Sequence, residues 1–314
     1  MHGIIFEQFG GPEKLLITEL PEPLPSSGEI QIRIAYAGVN PIDWKVREGL
    51  AKGWLPFELP IVPGFDCAGI VSMVGPGVTE FKEGDRVYAY IKKKKIQWGT
   101  YAELVTCPVT QAAPMPQNLT LAEAASLPLS ALTAWQAVME TAPIKVGQNV
   151  LVHAGAGGFG GIAIQLAKAA GAKVFTTASA KNHAVVRKLG ADRAIDYNNE
   201  DFLSVLLAEA GGADIVFLNV EGIEEKSLAA TKDDGRIVSI VGAPDPKEAA
   251  ARGITASLVS VEPSGLQLRA LTALIENGQV GPLEVLEMRL EDAAQAHKES
   301  QTGHVCGKIV LKIA

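Results

Sequence analysis

The chain has 314 residues, with 28 Lys and Arg against 35 Asp and Glu, a formal net charge of −7, 32 glycines and three cysteines. At about 100–200 residues per domain this length implies roughly two domains with their own cores, and 47% hydrophobic with 20% charged residues excludes wholesale disorder. The acidic balance argues against a nucleic-acid partner, while Cys67, Cys107 and Cys306, far apart and without a C-x-x-C pair, exclude a disulfide scaffold and fit a reducing compartment.

The opening MHGIIFEQFGG has neither a basic region nor a long apolar core, so no secretory leader is expected. Residues 146–167 lack Asp, Glu, Lys and Arg, but six glycines with Gln148, Asn149, His153 and Gln165 make them a poor membrane span. A cytoplasmic protein is expected. Over residues 1–120, apolar runs at 30–35, 69–74, 86–91 and 101–105 alternate with Gly and Pro punctuation, predicting a β-rich domain. The basic run Lys92 to Lys95 reads as a solvated loop, with a docking patch for an acidic partner as its alternative.

From Leu121 the chain becomes rich in Ala and Leu. Strands are predicted at 149–154, 173–178, 194–197, 214–220 and 236–241. Between the first two, Phe159, Ile162, Ala163, Leu166, Ala167 and Ala170 fall on one helix face. Strand–helix–strand repetition predicts an α/β domain, a doubly wound parallel sheet. A helix at 291–300 and a strand at 308–313 close the chain, and that strand is expected to return to the first domain. The expected division is 1–122 completed by 257–314, with 123–256 as the nucleotide-binding domain.

Residues 149–161 place G-x-G-x-x-G after a strand and at the start of a helix. Gly155 would allow the tight turn, Gly157 would let a pyrophosphate approach, and Gly160 would let helix and strand pack closely. The backbone N–H groups here, those of Gly158 and Phe159 included, would bind phosphates at the positive helix end. A glycine turn that merely packs a helix is the alternative. After the second strand the chain reads Thr176-Thr-Ala-Ser179-Ala-Lys181-Asn, without the acid that would hold an NAD ribose. Ser179 and Lys181 can instead meet a 2′-phosphate, which favours NADPH over NADH. Tyr197 either closes over the adenine or packs.

With these motifs in place, the whole chain resembles the zinc-independent quinone oxidoreductase (zeta-crystallin-like) branch of the medium-chain dehydrogenase/reductase superfamily. The matching stretches are MHGIIFEQFGGPEKL, Val39-Asn-Pro-Ile-Asp43, Pro63-Gly-Phe-Asp-Cys-Ala-Gly69, Gly84-Asp-Arg-Val87, Gly99-Thr-Tyr-Ala-Glu103, residues 127–135, the glycine loop and Gly307-Lys-Ile-Val-Leu311. The resemblance implies a GroES-like β-rich catalytic domain, a Rossmann domain, a cofactor cleft between them and a homodimer. It puts Asn40, Phe65-Asp66 and Leu129 where zinc-dependent relatives place metal ligands, so no metal is expected.

Without a Lewis acid, the expected chemistry is hydride transfer from NADPH to quinones or α,β-unsaturated carbonyls, where one or two hydrogen-bond donors stabilise the developing charge. The resemblance puts Asn40 and Asp43 beside the nicotinamide, Asn40 holding the carboxamide or a substrate oxygen and Asp43 orienting its neighbours. Thr133 would contact the nicotinamide or its ribose, Val241 and Gly242 would lie beneath the ring, and Lys308 would help hold a phosphate. A structural loop at Asn40–Asp43 and an edge charge at Lys308 are the alternatives. The chain departs from the family pattern at Lys45 and at Leu218-Asn-Val-Glu-Gly222. Trp44, Trp54 and Trp98 would either wall an apolar pocket or simply pack, and Cys67 is expected to be buried and inert rather than reactive. Two other functions stay open: a non-catalytic NADPH-binding sensor or structural protein, and an enoyl-thioester reductase using Lys92 to Lys95.

Overall fold

The computed structural model describes residues 1–53 and 56–313. In chain order the first part carries β1 (His2–Ile5), β2 (Leu16–Glu19), β3 (Glu29–Val39), α1 (Pro41–Arg47), β4 (Phe57–Val62), β5 (Asp66–Val74), β6 (Arg86–Tyr90), β7 (Ile96–Trp98), β8 (Leu104–Pro108), β9 (Ala112–Pro114), α2 (Leu121–Ala125) and α3 (Pro128–Trp135). There follow β10 (Asn149–Val152), α4 (Gly158–Ala169), β11 (Lys173–Thr177), α5 (His183–Lys188), β12 (Arg193–Ile195), α6 (Phe202–Ala210), β13 (Ala213–Leu218), α7 (Glu224–Ala230), β14 (Thr231–Ser239), α8 (Pro246–Ala251) and β15 (Thr255–Leu258). The last part is α9 (Gly265–Glu276), β16 (Val285–Arg289), α10 (Ala293–Gln301) and β17 (Lys308–Lys312).

These elements divide into two units: Met1–Leu132 with Glu262–Asn277 and Pro282–Ala314, and Thr133–Val261 with Gly278–Gly281. The first is β-rich. Its main sheet runs β16-β17-β3-β5-β6-β9, with β8 also paired to β3. The C-terminal strand does return to this unit, lying parallel to β16 and antiparallel to β3. Alternate residues of β3 and its neighbours, including Ile30, Ile32, Ile34, Val71, Val87 and Ile309, fill one apolar core, as period-2 side-chain alternation requires.

The predicted strand at 101–105 lies instead at Leu104–Pro108. Ahead of it, Gly99-Thr100-Tyr101 bonds along residues 62–64: Gly99 N–H donates to Val62 O at 2.9 Å and Tyr101 N–H to Pro63 O at 3.0 Å. Gly64 sits at φ +94°, and a Cβ there would run into Thr100 and Tyr101. That close approach explains why the two motifs need their glycines.

The second unit is a six-stranded parallel sheet in the order β12-β11-β10-β13-β14-β15. In chain order this is 3-2-1-4-5-6, the doubly wound dinucleotide-binding arrangement. The five predicted strands are all present. The fifth extends further at its start, over Thr231–Ser239, with a register shift beside Ala213 and Ile215. Order reverses between β11 and β13 on either side of β10, so the switch point lies at the C-terminal end of β10, where ligands bind in such sheets.

Candidate active site

In the parallel-sheet unit, β10 runs into the glycine turn and then α4, whose N-cap is Gly157. The left-handed residue is Ala154, at φ +44°, rather than Gly155. Gly155 is needed for space: a Cβ there would collide with the Thr176 hydroxyl. At Gly160 a Cβ would meet Ala154 O and approach Gly155 Cα within 2.8 Å, so close packing is the reason for glycine. Gly157 differs, since a Cβ there would touch only Ala154 O, at 3.4 Å. Its outer side is open, as a site for approaching phosphates must be. Gly158 and Phe159 begin the helix, where the first N–H groups lack intrahelical acceptors and the dipole favours an anion.

The turn is braced from below by residues not selected from the sequence. Ala154 N–H donates to Thr177 Oγ1 at 3.0 Å, and Gly155 N–H to Thr177 O at 3.0 Å. His153 is wholly buried between Thr177 Oγ1 (3.3 Å) and Ser227 Oγ (3.1 Å), edge-on to Phe202. Burial pulls its pKa down to about 3, so it is a neutral strut. In the sequence His153 shows only as a polar interruption of an apolar stretch, and this role depends on Thr177 and Ser227, which lie far along the chain.

At the end of β11, Ser179 caps a single turn over Ala180–Asn182, and Lys181 is exposed on it. No Asp or Glu lies between Thr176 and Asn182. Tyr197 follows β12 and is 46% exposed, so it is free of the core. Beyond β13, Asn219 Oδ1 is buried without a partner. Val241 and Gly242 follow β14, and Val241 N–H donates to Ser239 Oγ at 3.1 Å. Thr133 is buried on α3. An open glycine turn, an unpaired helix N-terminus and an orphaned acceptor suit a dinucleotide.

In the β-rich unit, pairing of β3 with β5 and β17 brings three strand ends together. Gly38 is opposite Asp66, and Val39 opposite Ile309. Asn40, Asp66 and Lys308 therefore converge, all buried. Asn40 bridges the other two: its Nδ2 donates to Asp66 Oδ2 at 2.9 Å, and its Oδ1 accepts from Lys308 Nζ at 2.5 Å. Lys308 also donates to Val39 O at 2.7 Å, and Leu129 N–H donates to Asp66 Oδ1 at 2.8 Å. Lys308 is thus no edge charge on a strand. Two of its three ammonium hydrogens have acceptors inside the cluster, and the group is 5% exposed, which sets it in the sheet core.

Asp43 lies in the first turn of α1, where Asn40 N–H donates to its Oδ2 at 2.7 Å and Tyr101 OH to the same oxygen at 3.1 Å. Burial pushes Asp43 up to about 7, against the pull of Asn40 N–H and Lys308. Burial likewise raises Asp66 to about 6, opposed by Lys308, while it lowers Lys308, opposed by the two carboxylates. Among the described residues no three His, Cys, Asp or Glu side chains are grouped to hold a metal ion, and Asp66 already has both oxygens engaged.

Cys67 is buried, and burial raises its thiol well above the usual range, which leaves it inert. Trp98, with Pro21, Pro23, Val62, Leu104 and Val105, lines an apolar cavity of about 260 Å3. Trp44 is not on its wall, and Trp54 lies outside the described residues. In the basic run Lys92 pairs with Glu262 and Lys95 with Glu58, so half of its charge is neutralised. No helix among the described residues is long and apolar enough to cross a membrane.

These features match known proteins. Residues 26–117 fit the family model of the alcohol dehydrogenase GroES-like domain, and residues 189–311 that of the zinc-binding dehydrogenases. The chloroplast envelope quinone oxidoreductase homolog of Arabidopsis thaliana is 32% identical over 99% of this chain and 98% of its own. The NADPH-dependent alkenal/one oxidoreductase of the same plant is 34% identical over 99% of this chain and 79% of its own. Among solved structures, an NAD-dependent alcohol dehydrogenase superposes with a TM-score of 0.92 at 32% identity, covering 100% of both chains. Escherichia coli quinone oxidoreductase complexed with NADPH gives 0.89 at 30% identity, over 99% of this chain and 100% of its own. The chain belongs to the medium-chain dehydrogenase/reductase superfamily, in its quinone oxidoreductase branch. It is accordingly an oxidoreductase of the quinone reductase type.

Proposed function

We propose that the chain is an NADPH-dependent reductase of quinones or α,β-unsaturated carbonyls that needs no zinc. The observation that carries this reading is the open glycine turn at the switch point beside a second strand that ends without an acid. The relatives named for quinone and for NADPH-dependent alkenal/one chemistry support it. The bound dinucleotide would supply hydride; the helix N–H groups of Gly158 and Phe159 would hold its pyrophosphate, and Ser179 and Lys181 its 2′-phosphate. Asn219 Oδ1, buried without a partner, would accept from a ribose hydroxyl. Asn40 keeps one amide hydrogen beyond its bond to Asp66, and it would position the acceptor oxygen.

The test is NADPH oxidation by purified protein with menadione or a short 2-alkenal, with and without a chelator. Equal rates are expected, and activity that appears only after zinc is supplied would refute the metal-free reading. Replacing Ser179 and Lys181 by Ala should raise KM for NADPH by about tenfold or more, as loss of charge-assisted hydrogen bonds does. KM for NADH should not move. An equal rise for both cofactors would remove the 2′-phosphate assignment.

A further inference from the structure

Strand β8 has two faces. Val105 and Cys107 belong to the apolar core of the β-rich unit, so Leu104 and Thr106, at the alternate positions, lie on the opposite face. Both are nonetheless buried. A strap, Pro21-Glu22-Pro23, passes over this side and is tied at both ends. Gln31, opposite Thr106 in the β3–β8 register, donates from Nε2 to Pro23 O at 2.6 Å. At the other end Leu20 N–H donates to Met1 O at 2.7 Å. Two prolines with fixed φ keep the strap stiff. Strap, Trp98 and Leu104 enclose the cavity of about 260 Å3. An apolar cavity of about 150 Å3 already takes a benzene ring, so this one has room for one or two rings.

The wall carries one cation, Lys93. Its neighbours in the basic run are paired, Lys92 with Glu262 and Lys95 with Glu58, whereas Lys93 meets no carboxylate among the described residues. Its Nζ has Thr106 Oγ1 as partner at 3.5 Å, long for such a bond. At least two of its three hydrogens therefore lack a protein acceptor, and Thr106 keeps its own hydroxyl hydrogen to donate. Burial lowers the pKa of Lys93, with Glu29 and Cys107 opposing, but Glu29 Oε2 is already engaged by Ser26 N–H at 3.0 Å. Glu22, the acid among the described lining residues, is exposed to water. A single positive charge among apolar walls calls for a single negative one, since a second anionic group would stay uncompensated. We propose that this cavity binds an aromatic monocarboxylate of one or two rings, its carboxylate held by Lys93 Nζ and Thr106 Oγ1 and its ring packed against Trp98, Leu104 and the two prolines. None of Asn40, Asp43, Asp66 and Lys308 lines the cavity. The site is separate from that polar cluster, and the proposal does not rest on the reductase reading.

The test is calorimetric titration of the full chain with 2-naphthoate and with its uncharged analogue 2-naphthamide. One 2-naphthoate should bind per chain with a Kd of about 0.1–1 mM, and 2-naphthamide more weakly. Lys93→Met keeps the stem and removes the charge, so it should weaken 2-naphthoate by about tenfold or more. Its affinity for 2-naphthamide should stay as in wild type, which also shows that the variant is folded. Thr106→Val, equal in shape, should weaken 2-naphthoate by about threefold or more. Trp98→Ala, at a side chain 38% exposed, should weaken both ligands severalfold. Saturating NADPH should leave 2-naphthoate binding unchanged. Absence of saturable binding overturns the site. Equal losses of both ligands in Lys93→Met overturn the charge pairing. Binding that survives both Lys93→Met and Trp98→Ala, or that NADPH displaces, puts the ligand elsewhere and overturns the assignment.

Discussion

A lysine ammonium inside a β-sheet core requires acceptors, and Lys308 has Val39 O and Asn40 Oδ1, with Asp66 one bridge further on. Replacing it by Met leaves two acceptors and a buried carboxylate uncompensated, which should lower unfolding free energy by roughly 3–5 kcal/mol in urea denaturation. The buried acids also set a pH dependence. Asp66 has a folded pKa raised to about 6 from the ordinary 3.8, so the folded state binds more protons between those values. Its contribution is fully present below pH 4 and is lost as pH rises through 6, by an amount on the order of 3 kcal/mol. Asp66→Asn should flatten that part of the stability curve, measured by denaturation at pH 4, 5 and 6. An unchanged slope would assign it to other groups. None of this was legible in the sequence. Asn40, Asp66 and Lys308 come from distant positions and meet only because three strand ends align, and a lysine opening a strand looks like an ordinary edge charge. Tyr101 was visible only as part of the stretch Gly99 to Glu103, which says nothing of its bond to Asp43.

At the scale of elements, the glycine turn was readable because its spacing is local. The reason for Gly155 was not, since it depends on Thr176 across the sheet while the left-handed position falls on Ala154. This separates the three positions experimentally. Gly155→Ala and Gly160→Ala collide with fixed atoms and should destabilise by about 1–3 kcal/mol, read as a lower Tm. Gly157→Ala has only one contact at 3.4 Å and should fold with nearly unchanged Tm but bind NADPH weakly in a fluorescence titration. Equal loss of Tm at all three would refute the distinction. The apolar strands of both sheets were legible from their runs and turns. Among the strands not predicted are β4 and β7: Phe57–Val62 carries Glu58 and Pro60, and Ile96–Trp98 is three residues beside a lysine run, so neither shows a strand period.

Over the whole molecule, the β-rich unit is assembled from both ends of the chain, with the parallel sheet encoded between them. Within β17, Ile309, Val310 and Leu311 are at most 2% exposed. Burial of side chains of this size is worth about 1.5–3 kcal/mol each, and their sum rivals the roughly 5–15 kcal/mol stability of a typical domain. Ending the chain at Gly307 should therefore leave the β-rich unit unfolded, seen as lost near-ultraviolet dichroism or insoluble expression. A soluble truncated protein with native dichroism would contradict this.

The same interleaving has a consequence for synthesis. A ribosome delivers Asn40 and Asp66 long before Lys308, so the partner of residues 36–39 on one edge of β3 is supplied only when β17 is made. For most of elongation residues 36–39 of that edge stay unpaired, since β8 covers only residues 29–33, and an unpaired edge is the part of a nascent sheet most prone to capture by another chain. The parallel-sheet unit can mature early, while residues 36–39 still wait for β17.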